Sequence, residues 1–460
     1  MRRGHTRAVV FVVSVLVMGA VAFASGMQRG DEHRVARPPG GGPPPPGISQ
    51  ADGPKHVIAP TRRAGGRLVF RLGTLDRDRI VAAWLQQARG RRTVSVRTVA
   101  RAAGRAELRL RRPAGWSGAR TRLIVRTAAR SGVHGCGYGR FERARWPAGC
   151  WRPYSAASPF NQPLPRSPRL AADSGLVARI LSFGPARNLV AGYADTEDDY
   201  EHPTYWSRPS DPKFRLHCYQ ASWGRCQIEG HEIRIPDAAR PAAGSDGHLT
   251  VVDQDSGWEY DLYKVRSKPA GGGVLEFRWG GRIRIDGDGL RSGGVAARFG
   301  NLAGVVRVAE LASGRIDHAL FATVRCSAGR FVYPAQGAGT SCASIGLPSE
   351  NAPPLGTRLQ LAMSSDEINE LRVPAWKKTI LQAMATYGLF VGDTGGGTWG
   401  IQLESSSTFT SFGVVDPLVE FAQANGWDRH EDVWVGRLHD GVPWSDRLRV
   451  IAPCVTQRTC

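Results

Sequence analysis

The densest run of side chains able to do acid–base chemistry is residues 245–263, SDGHLTVVDQDSGWEYDLY. Asp255-Ser256-Gly257 reads as a hairpin turn. In the returning strand side chains alternate, so Glu259, Asp261 and Tyr263 share one face and Trp258, Tyr260 and Leu262 the other. Two carboxylates in a row beside an aromatic suit the acid and base of a β-sheet glycosidase. An ordinary hairpin with a solvated outer face fits the same pattern. His248 and Asp253 flank the outgoing strand and join Trp258, Glu259 and Tyr263 as candidate substrate contacts.

A second group lies at VVRVAEL (305–311) and GRIDHALF (314–321). Arg307 and Glu310 sit in an apolar segment, where a buried carboxylate needs a partner and each can serve the other. In a cleft, desolvation would raise the Glu310 pKa and suit it to acid work. His318 has apolar neighbours. It reads either as an orienting group or as a hydrogen-bonded core residue. Calcium is a minor option at two acidic stretches, Asp195, Glu197 and Asp199, and Asp286 and Asp288. The later ligands of an EF-hand loop are missing from the second. No other metal and no cofactor are expected. GxSxG, HExxH, P-loop and strand-linked GxGxxG motifs are absent, which argues against serine-hydrolase, zinc-protease and nucleotide chemistry.

The elements that must position these groups are mainly strands. Alternation and turn residues predict strands at 249–253, 258–265, 274–279, 305–311, 316–324 and 358–361, fitting a β-sandwich or jelly-roll-like body. Two short helices interrupt it. One starts at Pro374 and closes at Gly388, burying Ile380, Leu381, Met384 and Tyr387. The other runs from Pro417 to Asn425, capped by Asp416 and followed by Gly426. Ahead of the body, 67–72, 93–97, 106–111 and 121–126 read as four strands of a small β-sandwich with outward arginines. The expected organisation is 1–26 signal peptide or anchor, 27–60 Pro/Gly-rich tether, 61–132 basic module, 133–164 connector and 165–460 main domain.

The 460 residues carry a formal charge of +21, with 42% hydrophobic residues, enough for a large core. The positive charge is concentrated before residue 136. That basic front (51–135) can contact polyanions, or reflect a generic arginine-rich composition. Arg2, Arg3 and Arg7 precede an uncharged run from Ala8 to Gly26 with Ala22-Phe23-Ala24, the pattern of a cleaved secretory signal, with an uncleaved anchor as the alternative. The location expected is secreted or extracellular. Eight cysteines in an exported chain imply disulfides. Nearest-neighbour pairing gives 136/150, 218/226, 326/342 and 454/460. The chain has 13 Trp and 10 Tyr, and Trp206, Trp223, Trp258, Trp279 and Trp399 near these loops would offer faces for stacking sugars.

The motifs GSDGHLTVVDQ, GWEYDLY, IDGDGL, GRIDHALF, PPLGTRLQL and YGLFVGDTGG resemble a family of exported bacterial proteins over roughly residues 158–415. The resemblance implies positions, not a reaction: His248, Asp253, Asp261, Arg307, Glu310, His318 and Asp393. It favours Asp261 with Glu310 over Asp261 with Glu259. A likeness to concanavalin-like glucanases is architectural, since Lys264 stands where their last strand glutamate would be. The functional expectation is an exported carbohydrate-active protein cleaving a cell-wall or extracellular polysaccharide, with Asp261 and Glu310 as the carboxylate pair and His318 as orienter. In a lyase variant Arg307 neutralises a uronate and His318 is the base. The alternative is a non-catalytic glycan-binding surface protein.

Overall fold

The computed structural model describes residues 146–460 except 174 and 221–224. Ahead of them it describes Pro60, Tyr138 and the strands between 55 and 128. The signal segment, most of the tether, Cys136 and Trp223 lie outside the described residues. Strand makes up 29% of the chain and helix 19%, so the class is mainly β.

The basic module contains seven strands where four were expected. One antiparallel sheet has the order Lys55–Ile58, Thr121–Ala128, Arg79–Arg89, Arg92–Thr98; a second joins Arg62–Ala64, Arg67–Arg71 and Glu107–Arg111. The first strand falls inside the segment read as tether. Its neighbours hid it, because proline and glycine dominate that stretch. Leu68, Val69, Phe70, Leu123, Ile124 and Val125 are buried in consecutive runs, so both faces of these strands are covered there rather than one, whereas Arg67, Arg109, Arg111 and Arg122 are exposed.

The body is organised around a six-stranded sheet. Its order is Glu232–Arg234, Lys213–Cys218, Gly273–Arg284, Trp258–Ser267, Leu249–Asp253, Thr204–Trp206. The Leu249–Asp253 and Trp258–Ser267 strands pair antiparallel, with Val251 opposite Tyr260 and Thr250 opposite Asp261. Asp253 closes the hairpin: its backbone carbonyl accepts the Gly257 N–H at 2.8 Å, and its carboxylate accepts the Asp255 N–H at 3.2 Å. Gly257 has φ +74°, a conformation that costs glycine little. One face of this sheet gathers Leu249, Val251, Tyr260, Leu262, Phe277 and Ile233 in one cluster with Ile228 and Ile235. The other face contributes Val252 and Ile283 to the main core. Both faces are therefore covered, and anything polar between the strands and the main core loses water.

A five-stranded sheet runs Gly400–Ile401, Leu320–Val324, Leu389–Thr394, Arg358–Leu361, Leu448–Ile451, and a three-stranded sheet joins Asp428–His430, Val433–Gly436 and Leu189–Ala191. Both expected helices form, as Ala375–Thr386 and Pro417–Ala424; Ile380, Leu381 and Met384 are buried and Tyr387 half-buried. Six further, shorter helices occur among the described residues. One of them overturns an expected strand. Residues 308–313 form the helix Val308–Ser313, because the Glu310 carboxylate reaches back to the Arg307 N–H at 2.9 Å and Gly314 ends the turn at φ +70°. The strand expected at 316–324 is confined to Leu320–Val324, so His318 precedes it.

Disulfides join Cys218 to Cys226, Cys326 to Cys342 and Cys454 to Cys460, the nearest-neighbour pattern. They are consistent with an oxidising, extracellular compartment. No helix among the described residues is long and apolar enough to cross a membrane.

Candidate functional site

The expected site residues fall into three polar groups. The first is set between the six-stranded sheet and the segment 292–302. Glu259 and Asp261 point to the same face, are wholly buried and hydrogen-bond to each other. Tyr154 donates its hydroxyl to Glu259 Oε2 at 2.9 Å, and the Leu302 N–H reaches Oε1 at 3.0 Å. Asp261 accepts the Ser292 hydroxyl, the Asn301 N–H at 3.3 Å and the Thr250 hydroxyl at 3.3 Å. Burial, then the Asp261 charge, push Glu259 well above the carboxylate range. Burial lifts Asp261 to about 6 despite its donors. Two desolvated carboxyls in contact share a proton, because both cannot ionise cheaply.

The second group surrounds the first turn of Val308–Ser313. Arg307 Nη2 pairs with Glu310 Oε1 at 2.8 Å, and His318 Nε2 lies 3.0 Å from the same oxygen. The guanidinium also donates to the carbonyls of Ala148, at 3.1 Å, and Trp151. His318 Nδ1 faces the Ala319 carbonyl at 2.9 Å. Burial works to raise Glu310, but Arg307 and His318 hold it below its usual value. Glu404, which accepts the Val308 N–H at 3.2 Å, is pushed by burial up to about 7.

These contacts correct the expected pairing. Asp261 is partnered by Glu259, and Glu310 by Arg307 and His318. All four of Asp261, Glu310, His318 and Arg307 are at most 3% exposed. Arg307 is buried and directs both Nη atoms to acceptors inside the protein, away from any uronate at the surface. Asp253 serves its hairpin and accepts the Ser207 hydroxyl at 3.2 Å. Trp258 is half-buried beneath Arg282, whose guanidinium carbon is 4.2 Å from the ring centroid. Trp206 and Trp399 are buried and offer no face.

The third group reaches the surface, and it gathers the remaining candidates His248, Tyr263 and Asp393. The His248 ring lies 5.4 Å from Tyr263 and 4.3 Å from His202. Tyr263 donates to Asp246 Oδ1 at 3.4 Å. Asp393, at the end of Leu389–Thr394, accepts the Thr394 N–H at 2.7 Å and the Ala296 N–H at 3.4 Å. The charges of Asp246, Arg278 and Asp393 act on Tyr263, and that of Asp246 acts on Asp393. Asp246, Tyr263, Arg278, Asp393 and Thr394 are all partly exposed. Burial pushes Asp393 up to about 6. Burial also drives His248 down to about 4, and burial together with His248 drives His202 well below its usual value. Nδ1 of each histidine and Oδ1 of Asn301 are buried without a hydrogen-bond partner.

Among the described residues no three His, Cys, Asp or Glu are grouped as a metal would require. Asp195 is paired with Arg240 at 2.9 Å and Asp199 accepts the Ser407 hydroxyl at 2.9 Å. Asp286 is held by Arg284 and Asp288 by Arg291. Sequence reasoning missed Tyr154, His202, Ser292, Asn301 and Glu404. The one available signal was glycine: a Cβ at Gly294 would strike Asp261 and Asn301, and one at Gly300 would strike Tyr154. No family model matches the chain, and neither curated proteins nor solved structures give a match.

Proposed function

We propose that the protein is an exported carbohydrate-active enzyme that cleaves a cell-wall or extracellular polysaccharide on the surface formed by Asp246, Tyr263, Arg278 and Asp393. The observation that supports this reading is the gathering of Asp393, Asp246, Tyr263 and Arg278 at partly exposed positions, where burial first and then the Asp246 charge lift the Asp393 carboxyl to about 6. A carboxyl in that range keeps a proton to give to a glycosidic oxygen near neutral pH. Asp246 then takes the proton of the attacking water, as the second carboxylate of a glycosidase does. His248 and Tyr263 position the sugar, and Arg278 suits an acidic residue of the chain. The buried Glu259–Asp261 and Arg307–Glu310–His318 groups hold the scaffold. In this reading the six- and five-stranded sheets are the two layers of a sandwich. The exposed Arg67, Arg109, Arg111 and Arg122 keep the basic module near a polyanionic matrix.

The burial of Asp261, Glu310 and His318 favours a second reading, a glycan-binding surface protein without catalysis. One experiment separates them. The purified protein is incubated with neutral and acidic polysaccharides, and new reducing ends and absorbance at about 235 nm are followed. New reducing ends lost in both Asp393→Asn and Asp246→Asn establish a hydrolase, and absorbance gain an elimination. Binding without product, unchanged in both variants, overturns the enzymatic reading.

A further inference from the structure

The loop 292–302 connects two of the polar groups above. Its ends are tied to the buried carboxyl pair. Asp261 accepts the Ser292 hydroxyl at one end and the Asn301 N–H, at 3.3 Å, at the other, and Glu259 accepts the Leu302 N–H at 3.0 Å. Ser292 and Asn301 are at most 3% exposed. The Ser292 N–H reaches the Arg298 carbonyl at 3.0 Å, which closes the loop on itself. The middle of the loop is tied to the third group. The Ala296 N–H donates to Asp393 Oδ2 at 3.4 Å, and the Ala297 N–H to the Gly392 carbonyl at 3.0 Å.

This loop lies outside every helix and strand, so these ties and its packing set its path in place of a ladder. The packing is close. A Cβ on Gly293 would lie 2.8 Å from the Gly280 backbone, and one on Gly294 would lie 2.6 Å from Asp261 Cβ. Val295, Ala297 and Phe299 belong to the main core. Ala296 is therefore two residues from a glycine seated on Asp261, and its N–H is aimed at Asp393.

We infer that the Glu259–Asp261 pair is a positioning element for Asp393: by fixing both ends of the 292–302 loop it sets where the Ala296 N–H meets the Asp393 carboxyl. Only the catalytic consequence of this inference rests on the reading of Asp393 as the acid. An N–H aimed at a carboxylate favours its charged form. The Thr394 and Ala296 N–H groups thus work against burial and the Asp246 charge, and hold the carboxyl to about 6. Tyr263 feels the same Asp393 and Asp246 charges. The path of the loop accordingly decides how firmly Asp393 keeps its proton.

The test is an NMR titration of the Asp393 side-chain carboxyl in the full-length protein, assigned by its loss in Asp393→Asn. Ser292→Ala removes one tie and leaves Val295, Ala297 and Phe299 in the core. The carboxyl then stays dry while the Ala296 N–H slackens, and its midpoint should rise by about half a unit to one unit. Gly294→Ala, which pushes the loop off Asp261, should move it in the same direction. Asp261→Asn keeps an oxygen for the Ser292 hydroxyl and the Asn301 N–H while removing the charge, and should leave the midpoint within about 0.2 unit of wild type. A midpoint unmoved in both Ser292→Ala and Gly294→Ala would overturn the inference. So would an equal shift in Asp261→Asn, which would mark an effect of charge through space. The titration needs no substrate, so its failure is distinct from a failure to find hydrolysis.

Discussion

Replacing Asp261 with Asn tests whether the buried carboxyl pair is a scaffold that shares a proton. Asp261 is held at about 6 against an ordinary 3.8. Each unit is worth about 1.4 kcal/mol, so ionising it costs the folded protein on the order of 3 kcal/mol. The folded pKa is raised, so the unfolded chain loses its proton first. Stability is therefore complete below about pH 3.8 and is lost as pH rises through 6. Asparagine cannot ionise. Its oxygen still accepts from Ser292 and the Asn301 N–H, and its amide can donate to Glu259. Glu259, Asp393 and Glu404 titrate in the same sense, and His202 and His248 in the opposite sense. The informative quantity is thus the difference between variant and wild type, not either curve alone. Guanidinium unfolding followed by tryptophan fluorescence from pH 4 to 8 should show that difference moving by about 2 kcal/mol in favour of the variant as pH rises. A difference that stays constant across the range would refute the shared-proton account. Loss of a measured activity in an undiminished fold would return Asp261 to the chemistry.

Other perturbations follow from the same contacts. Arg307→Met strands Glu310 in the core and should cost about 3–5 kcal/mol, read as a fall in Tm; Glu310→Gln should cost clearly less. Gly300→Ala drives a methyl into the Tyr154 hydroxyl and Ile283, and should destabilise by about 1–3 kcal/mol in chemical unfolding. Replacing Cys326 and Cys342 together with alanine frees a 16-residue separation and should cost about 3 kcal/mol in the same assay. His248→Gln should flatten the loss of stability between pH 6.5 and 4, because the wild-type ring stays neutral in the fold down to about 4 while the unfolded chain already takes up protons.

Much of this protein is determined by its local sequence. Period-two alternation placed Glu259 and Asp261 on one strand face and Tyr260 and Leu262 on the other, because strand geometry allows nothing else. Proline, glycine and Asp416 marked both longer helices, and short cysteine spacings paired three disulfides. Only tertiary structure decided what those faces meet. VVRVAEL suits either period, and it is a helix because Glu310 caps Arg307 and Gly314 turns the chain. Asp261 and Glu310 look alike as apolar-flanked carboxylates. One is neutralised by a proton shared with Glu259 and the other by a guanidinium, and those partners lie in different segments. Asp393 stood among glycines in the sequence. It comes beside Asp246 and Tyr263 only when two sheets are brought together, since long-range packing, not spacing along the chain, sets which charges share low-dielectric space.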